Sequence, residues 1–336
     1  MKVRFGVVGT NFITDWVIAG GREDKRFELT AVCSRSIDTG RAFAEKHNIP
    51  NVFTSLEEMA QSQLIDAVYI ASPNAFHAHH SIICMRNGKH VLCEKAFASN
   101  AQEARLMVET AQRNNVVLME AMKPVLTPAF KTVINAVKEI GVVRNWFSCF
   151  CQYSSRYDKL KEGIVLNAFK PELSNGAVMD IGVYTIYPMV VLFGKPKTVN
   201  ASGVKLHTGV DGHGSVVFEY NNGMTANVIY SKIADSDLPT EIQGEDGTIT
   251  LDRINIISKV TLKRRKGELT TLFPLFPQNA TVHNEYYYEV AEFIDLIQSG
   301  CSQSSVNSHA NSLITMEIID EIRRQVGVSS VTQNLS

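Results

Sequence analysis

The chain lacks the features that mark membrane-spanning, nucleic-acid-binding and secreted proteins. Its 336 residues carry 33 basic and 34 acidic side chains with no long run of either sign, so nucleic acid is not an expected partner. No run approaches the ~18 apolar residues that a membrane helix needs, so no membrane association is expected either. Met1 to Gly9 enter a strand-like apolar run directly, which argues against a secretory leader.

Cysteine and histidine are present, but not in the spacing of a metal site or a disulfide framework. None of the six cysteines forms a CxxC pair, and Cys149 and Cys151 would pack together on one face of a strand. His77 and His80 could share a helix face, yet no carboxylate or cysteine completes a ligand set. We therefore expect no metal, and a reducing cytoplasm as the compartment.

The pattern of hydrophobic residues differs between the two parts of the chain. The length predicts two domains, and the composition, with 45% hydrophobic and 20% charged residues, is typical of a globular protein. Up to residue 123, strands such as Val3–Val8 alternate with amphipathic helices such as Ile37–His47 and Ala101–Asn114. This alternation is typical of βαβ units, and it predicts an α/β domain over residues 1–123 with the parallel sheet of a Rossmann fold.

Beyond residue 123 the pattern is that of an antiparallel sheet followed by helices. Asn221-Asn222-Gly223 and Glu245-Asp246-Gly247 separate β-like runs and predict hairpins. The basic segment 263–266 predicts an exposed strand or turn. Amphipathic helices over about 282–299 and 308–326 close the chain. We predict an α+β domain over residues 124–336, built on a large, open, mainly antiparallel sheet, for substrate binding and oligomerisation.

The turn after the first strand, where a dinucleotide fold binds pyrophosphate, is poor in glycine. Only the first glycine of G-x-G-x-x-G/A is kept, and the candidate cofactor-binding residues are Gly9, Thr10, Asn11, Phe12 and Ile13. Asn11 tolerates left-handed backbone and could still make the turn if its side chain points away from the phosphates. Taken alone, the segment favours a plain strand-to-helix turn over a cofactor site.

Ser34 and Arg35 stand at the end of the second strand, where NAD-binding folds place an acidic residue for the ribose 2′-hydroxyl. No carboxylate follows until Asp38, so a 2′-phosphate would meet a hydroxyl and a guanidinium. This favours NADP(H) as the cofactor, with NAD(H) as the second choice. The alternative is a solvated arginine in a loop.

Three longer segments resemble the Gfo/Idh/MocA oxidoreductases, the family of glucose-fructose oxidoreductase and inositol dehydrogenase. Residues 72–77 (SPNAFH) and 87–96 (NGKHVLCEKA) are similar to the PN-x-x-H and GKHV-x-x-EKP segments of that family, and residues 176–184 (GAVMDIGVY) to its GGALMDIGVY stretch. The resemblance implies that the cofactor is contacted by Ser72, Pro73, Asn74, His77, Glu94 and Lys95. Ala96 replaces the proline of EKP, so the loop around Lys95 could differ in shape from that of relatives.

The resemblance also implies that Lys95, Asp180 and Tyr184 are the catalytic residues. If helical, Asp180 and Tyr184 project from one face and can reach one substrate oxygen. An unperturbed tyrosine titrates near pH ~10, but a nearby ammonium such as that of Lys95 lowers the pKa of the phenol. Tyr184 would then exchange a proton with the substrate oxygen while Lys95 offsets the charge on that oxygen. The alternatives are a solvated lysine, a core tyrosine and a helix-capping aspartate.

Lys123 and Arg156 are candidate substrate-binding residues, although a surface arginine is an equal alternative for Arg156. The resemblance implies a sugar, polyol, dihydrodiol or related carbonyl compound as the substrate, and a homodimer or homotetramer formed through the C-terminal sheet. Two other functions remain open on this fold: a non-catalytic NADP-binding regulator, and a reductase of a larger ligand in the manner of biliverdin reductase.

Overall fold

The computed structural model describes residues 1–274 and 284–329. Within them the helices are α1 (Phe12–Gly21), α2 (Ile37–His47), α3 (Leu56–Gln61), α4 (His77–Arg86), α5 (Ala101–Asn114), α6 (Pro128–Ala136), α7 (Tyr157–Lys161), α8 (Val183–Phe193), α9 (Glu285–Ser299) and α10 (His309–Val326). The strands are β1 (Val3–Val8), β2 (Phe27–Cys33), β3 (Asn51–Phe53), β4 (Ala67–Ile70), β5 (His90–Glu94), β6 (Leu118–Ala121), β7 (Val143–Cys151), β8 (Thr198–Lys205), β9 (Asp211–Glu219), β10 (Thr225–Ser231), β11 (Thr240–Gly244), β12 (Gly247–Leu251), β13 (Val260–Arg264) and β14 (Leu269–Phe273).

The described chain forms two compact units, residues 1–123 with 284–313 and residues 124–274 with 314–329. The sequence assigned everything after residue 123 to the second domain, whereas α9 belongs to the first unit. Helix α9 packs closely on α1, as the position of Gly20 shows: a Cβ there would lie 2.7 Å from the backbone of Tyr286. The ring of Phe293 also lies 5.9 Å from that of Phe5 in β1. Amphipathic periodicity predicts that a helix has a buried face, but not which partner covers it.

The sheet of the first unit is parallel, with the strand order β3-β2-β1-β4-β5-β6. This is the Rossmann order, and the predicted α/β fold of this part is confirmed. Neighbouring strands β1 and β4 mark the point where the direction of winding reverses. In such sheets ligands bind outside the carboxyl ends of the strands at that point. Residues 9, 34, 72 and 95 all follow a strand of this sheet directly or nearly so.

The sheet of the second unit has eight strands in the order β14-β13-β12-β11-β7-β10-β9-β8. Among the described pairings of this second sheet, only β7–β10 is parallel, so the predicted mainly antiparallel sheet is confirmed. Side chains alternate along β7. Trp146 and Phe150 face α8, with ring centroids 6.1 Å from Phe193 and 5.8 Å from Tyr184. The other face includes the partly exposed Phe147.

The expectation of no long apolar segment was wrong in one place. Pro171–Phe193 is the one stretch among the described residues that is long and apolar enough to cross a membrane. However, 72% of its most apolar 18-residue part is buried within the protein, as in a core helix. The prediction for cysteines is confirmed: Cys149 and Cys151 are buried, unbridged thiols with their sulfurs 3.7 Å apart.

Candidate active site

The turn after β1 is built around Gly9. Its φ is +106°, and a Cβ at this position would lie 2.5 Å from the carbonyl oxygen of Ala71, which follows β4. The hydroxyl of Thr14 donates to the carbonyl of Gly9 at 3.0 Å and closes the turn. Only glycine fits here, because the backbone of Ala71 occupies the space that a side chain would need.

Asn11 is the N-cap of α1, and its backbone is extended, with φ −88° and ψ 173°. The left-handed backbone considered for it is therefore not adopted. Its Oδ1 accepts from the amides of Ile13 at 2.9 Å and Thr14 at 3.3 Å, while its Nδ2 donates to the carbonyl of Ala71 at 3.0 Å. Asn11 thus joins the start of α1 to the end of β4 and occupies two of the amides at the helix end.

Ser34 and Arg35 lie between β2 and α2. The amide of Ser34 donates to the carbonyl of Phe53 at 3.0 Å, which fixes the backbone at the edge of the sheet. Arg35 is exposed and Ser34 partly exposed. Ser36 caps α2, so the positive end of this helix lies beside the same two residues. A hydroxyl, a guanidinium and a helix N-terminus all favour a bound anion.

His77, at the start of α4, joins two loops that carry candidate cofactor-binding residues. It is 1% exposed, with Nδ1 2.8 Å from the carbonyl oxygen of Ala96 and Nε2 2.7 Å from that of Ser72. Burial lowers the pKa of His77 to about 4, although the two carbonyls oppose this shift. The peptide between Lys95 and Ala96 is cis, although residue 96 is not proline. His77 therefore connects the turn after β4 to the loop that carries Lys95, which sequence reasoning did not foresee.

Lys95 directly follows β5 and is partly buried. The preceding Glu94 is buried, and its Oε1 accepts from the hydroxyl of Tyr69 at 2.5 Å. Its Oε2 accepts from the backbone amide of Lys95 at 3.2 Å. Burial raises the pKa of Glu94, and the charge of Lys95 opposes that shift. The carboxyl group of Glu94 therefore anchors the backbone from which Lys95 projects.

The two candidate substrate residues differ in their surroundings. Lys123 is 7% exposed in its side chain and forms an ion pair with Glu285 of α9. Its Nζ also lies 4.6 Å from the ring centroid of Tyr286. Arg156 is exposed, at the start of α7. Lys123 thus has two partners within the first unit, which the sequence did not reveal because α9 lies far along the chain.

Asp180 and Tyr184 lie on successive turns of one helical segment in the second unit. Asp180 is in the middle of a π-helical turn, Val178–Gly182, which continues into α8 with Tyr184 in its first turn. π-Turns are rare and often mark functional sites. Asp180 therefore does not cap the helix. Instead, the buried Asp211 accepts from the amide of Val178 at 2.8 Å and holds the start of this segment.

Lys232 contacts the candidate catalytic residue Asp180, and sequence reasoning missed it. It follows β10, is 5% exposed, and its ammonium forms an ion pair with the carboxylate of Asp180. No local pattern in the sequence indicates this pair, because the two residues belong to different elements of the second unit. In the described part of the chain, no group of three or more His, Cys, Asp and Glu residues could hold a metal ion.

Family models match both parts of the chain. Residues 3–122 match an oxidoreductase family with an NAD-binding Rossmann fold, GFO_IDH_MocA. Residues 135–250 match the GFO/IDH/MocA C-terminal domain. The two matches follow one another along the sequence and together cover more than half of it. The predicted class of enzyme, an oxidoreductase with a dinucleotide-binding Rossmann domain, is thereby confirmed.

Relatives match over nearly the full length. The chain is 48% identical over 326 residues to the scyllo-inositol 2-dehydrogenase (NADP(+)) IolU of Bacillus subtilis (strain 168), covering 97% of this chain and 98% of that protein. It is 31% identical over 340 residues to the trans-1,2-dihydrobenzene-1,2-diol dehydrogenase of Danio rerio, covering 98% of each. The aldose-aldose oxidoreductase of Caulobacter crescentus shares the fold, with a TM-score of 0.86 at 18% identity over 97% of this chain and 98% of that one. The chain therefore belongs to the Gfo/Idh/MocA oxidoreductase family, as its motifs predicted.

Proposed function

We propose that this protein is an NADP(H)-dependent dehydrogenase of a neutral cyclic polyol of the inositol type. The observation that carries the proposal is the identity of 48% to a scyllo-inositol 2-dehydrogenase over 97% of the chain. Relatives that act on dihydrodiols are less similar, at 31% identity or below. A dihydrodiol is therefore the second candidate substrate.

The residues at the strand ends of the first unit fit NADP(H). Gly9 allows the chain to turn directly after β1, because a side chain at this position would collide with the carbonyl of Ala71, and such a turn before a helix is where dinucleotide folds bind pyrophosphate. Ser34 and Arg35 offer a hydroxyl and a positive charge for the 2′-phosphate, and no carboxylate precedes Asp38. The remaining cofactor contacts in this proposal are Thr10, Asn11, Phe12, Ile13, Ser72, Pro73, Asn74, His77, Glu94 and Lys95. NADP⁺, when bound, supplies the hydride acceptor.

The proposal gives each catalytic side chain one task in polyol oxidation. The phenol oxygen of Tyr184 takes the proton from the reacting hydroxyl group. The ammonium of Lys95 stabilises the negative charge that develops on that oxygen. Asp180 accepts a hydrogen bond from a neighbouring hydroxyl group of the substrate. This contact selects for substrates that carry more than one hydroxyl group. In carbonyl reduction the same groups act in reverse. Lys123 and Arg156 are kept as weaker candidates for substrate contacts.

The test is the rate of NADP⁺ reduction, followed by absorbance, with scyllo-inositol, myo-inositol, an aldose and a trans-dihydrodiol. We expect turnover with an inositol, and a loss of about 10²-fold or more in kcat for Lys95→Met and for Tyr184→Phe, because each removes a group that acts on the reacting oxygen. Lys159→Met removes an exposed lysine and should leave the rate unchanged.

Three results would count against this proposal in different ways. Unchanged turnover in Lys95→Met would refute the role of the lysine while leaving the substrate assignment in place. Tight NADPH binding with no turnover of any compound in the panel would favour the non-catalytic regulator. Turnover restricted to the dihydrodiol would replace the inositol by the second candidate.

A further inference from the structure

Lys232 is held firmly in place at the end of β10. Its backbone amide donates to the carbonyl of Gly212 at 2.8 Å, and its carbonyl accepts from the amide of Ser154 at 2.9 Å. Gly212 lies in β9, and Ser154 follows β7. The backbone of Lys232 is thus bonded on both sides to segments of the same sheet, so the position of its side chain is set by the sheet rather than by a free loop.

The side chain of Lys232 approaches Asp180 from the interior of the second unit. The lysine side chain is 6% exposed, whereas that of Asp180 is 36% exposed. The ammonium also lies 5.8 Å from the ring centroid of Phe169, which is itself buried. The cation is therefore enclosed by protein, and the carboxylate it pairs with remains accessible to small molecules.

The pair has a consequence for the charge that a ligand meets at Asp180. An isolated carboxylate in a partly desolvated place repels anions and attracts cations, and it does so more strongly than in water. An enclosed ammonium next to it cancels most of this field. It also fixes one rotamer of Asp180, so that the carboxylate is oriented before a ligand arrives.

We propose that Lys232 is a positioning and specificity-determining residue, which orients Asp180 as a hydroxyl acceptor and balances its charge so that the substrate site selects uncharged polyols over sugar acids and amino sugars. This inference rests on the proposed function for the identity of the substrate, but not for the behaviour of the charge pair. Sugar acids and amino sugars of similar size are therefore suitable probes.

The experiment measures binding of three probes to the NADPH-saturated protein by calorimetry: scyllo-inositol, glucuronate and glucosamine. In the wild type we expect glucuronate and glucosamine to bind with similar weakness. Asp180→Asn leaves the ammonium of Lys232 without a counterion and should raise the ratio of glucuronate affinity to glucosamine affinity by about tenfold. Lys232→Met should change the same ratio by about tenfold in the opposite direction.

Two further variants separate charge balance from structural damage. Asp180→Asn/Lys232→Met removes both charges, so it should return the affinity ratio to that of the wild type. Lys232→Arg should keep the wild-type ratio, because a guanidinium also pairs with a carboxylate. In turnover assays, Lys232→Met should raise KM for the neutral polyol more than Lys232→Arg does.

The matched control is Lys89→Met. Lys89 is also a buried lysine, but it donates to the carbonyls of Ser62 at 2.8 Å and Ile65 at 3.0 Å rather than to a carboxylate. Lys89→Met should lower the stability of the protein without changing the ratio of glucuronate affinity to glucosamine affinity. If Asp180→Asn and Lys232→Met shift the ratio in the same direction, or not at all, the inference is overturned. A charge-dependent shift in a protein that turns over no inositol would refute the proposed function and leave the inference standing.

Discussion

In the proposed function, the choice between NADP(H) and NAD(H) depends on Ser34 and Arg35. We expect Arg35→Ala to raise KM for NADPH by about 10- to 100-fold, because a hydrogen-bonded charge pair with the 2′-phosphate is lost. KM for NADH should change little, since NADH has no phosphate at that position. The measurement is steady-state kinetics of carbonyl reduction with NADPH and with NADH, at a saturating concentration of the ketone that corresponds to the polyol.

Arg41 provides the control for this substitution. It is an exposed arginine further along α2, so Arg41→Ala changes the net charge of the region by the same amount without removing the residue proposed to contact the phosphate. Equal increases in KM for NADPH and NADH in Arg35→Ala would reject the assignment. Equal effects of the two arginine substitutions would show that only long-range charge is involved.

The sequence could propose the catalytic candidates because they lie in continuous motifs, but it could not indicate the residues that contact them in the fold. Lys95, Asp180 and Tyr184 stand in segments that resemble the family pattern. Lys232 and Asp211 are joined to that helical segment only through the folded sheet. A buried ion pair or a remote helix cap has no local period or spacing, so single-sequence reasoning has nothing to detect.

Helix ends in the first unit were predictable because short-range chemistry determines them. Helix α2 begins after the Ser36 cap and ends at Asn48, which has a left-handed backbone. Helix α5 is enclosed in the same way by Asn100 and Asn115. The predicted bounds of both helices are confirmed, since asparagine and serine satisfy the free amides and carbonyls at helix ends.

Strand β13 shows the limit of this local reasoning. The sequence predicted an exposed strand or turn at residues 263–266, and Lys263 and Arg264 do form the exposed end of β13. It did not predict that Val260–Arg264 pairs with both β12 and β14. Strand pairing depends on distant partners, and charged side chains obscure the alternation that would identify a strand.

The packing of α9 on α1 yields a test at the level of elements. Gly20→Ala would place a methyl group 2.7 Å from the backbone of Tyr286, so α9 must shift. We expect the free energy of unfolding to fall by about 1–3 kcal/mol, the usual cost of overpacking. The measurement is urea unfolding followed by circular dichroism.

The control uses helix propensity alone. Ala19 is exposed in the same helix, so Ala19→Gly should lower stability by about 1 kcal/mol through backbone entropy without changing any packing. If α1 and α9 were not in close contact, Gly20→Ala would have the opposite effect to Ala19→Gly and would raise the free energy of unfolding by about 1 kcal/mol. A rise in stability for Gly20→Ala would therefore contradict the packing.

At the scale of the whole molecule, the sheet of the second unit presents one face that α8 does not cover. Register places Val217 of β9, Asn227 of β10 and Phe147 of β7 side by side on this face. Val217 is 42% exposed, and Asn227 and Phe147 are partly exposed. A sheet face that leaves apolar side chains exposed or partly exposed is typical of an interface, and we propose that two or four copies of the chain associate through it.

Sedimentation velocity over a range of concentrations tests this association. The wild type should sediment as a homodimer or homotetramer. Val217→Glu should shift it towards smaller species, because a two-fold axis would bring the new carboxylates of both copies into one desolvated interface. Leu64→Glu introduces the same charge at a residue of the first unit that is 40% exposed, and it should leave the assembly intact. A wild type that is monomeric at every concentration would refute the proposal. Equal dissociation by both substitutions would instead assign the effect to net charge, since only the sheet face distinguishes the two positions.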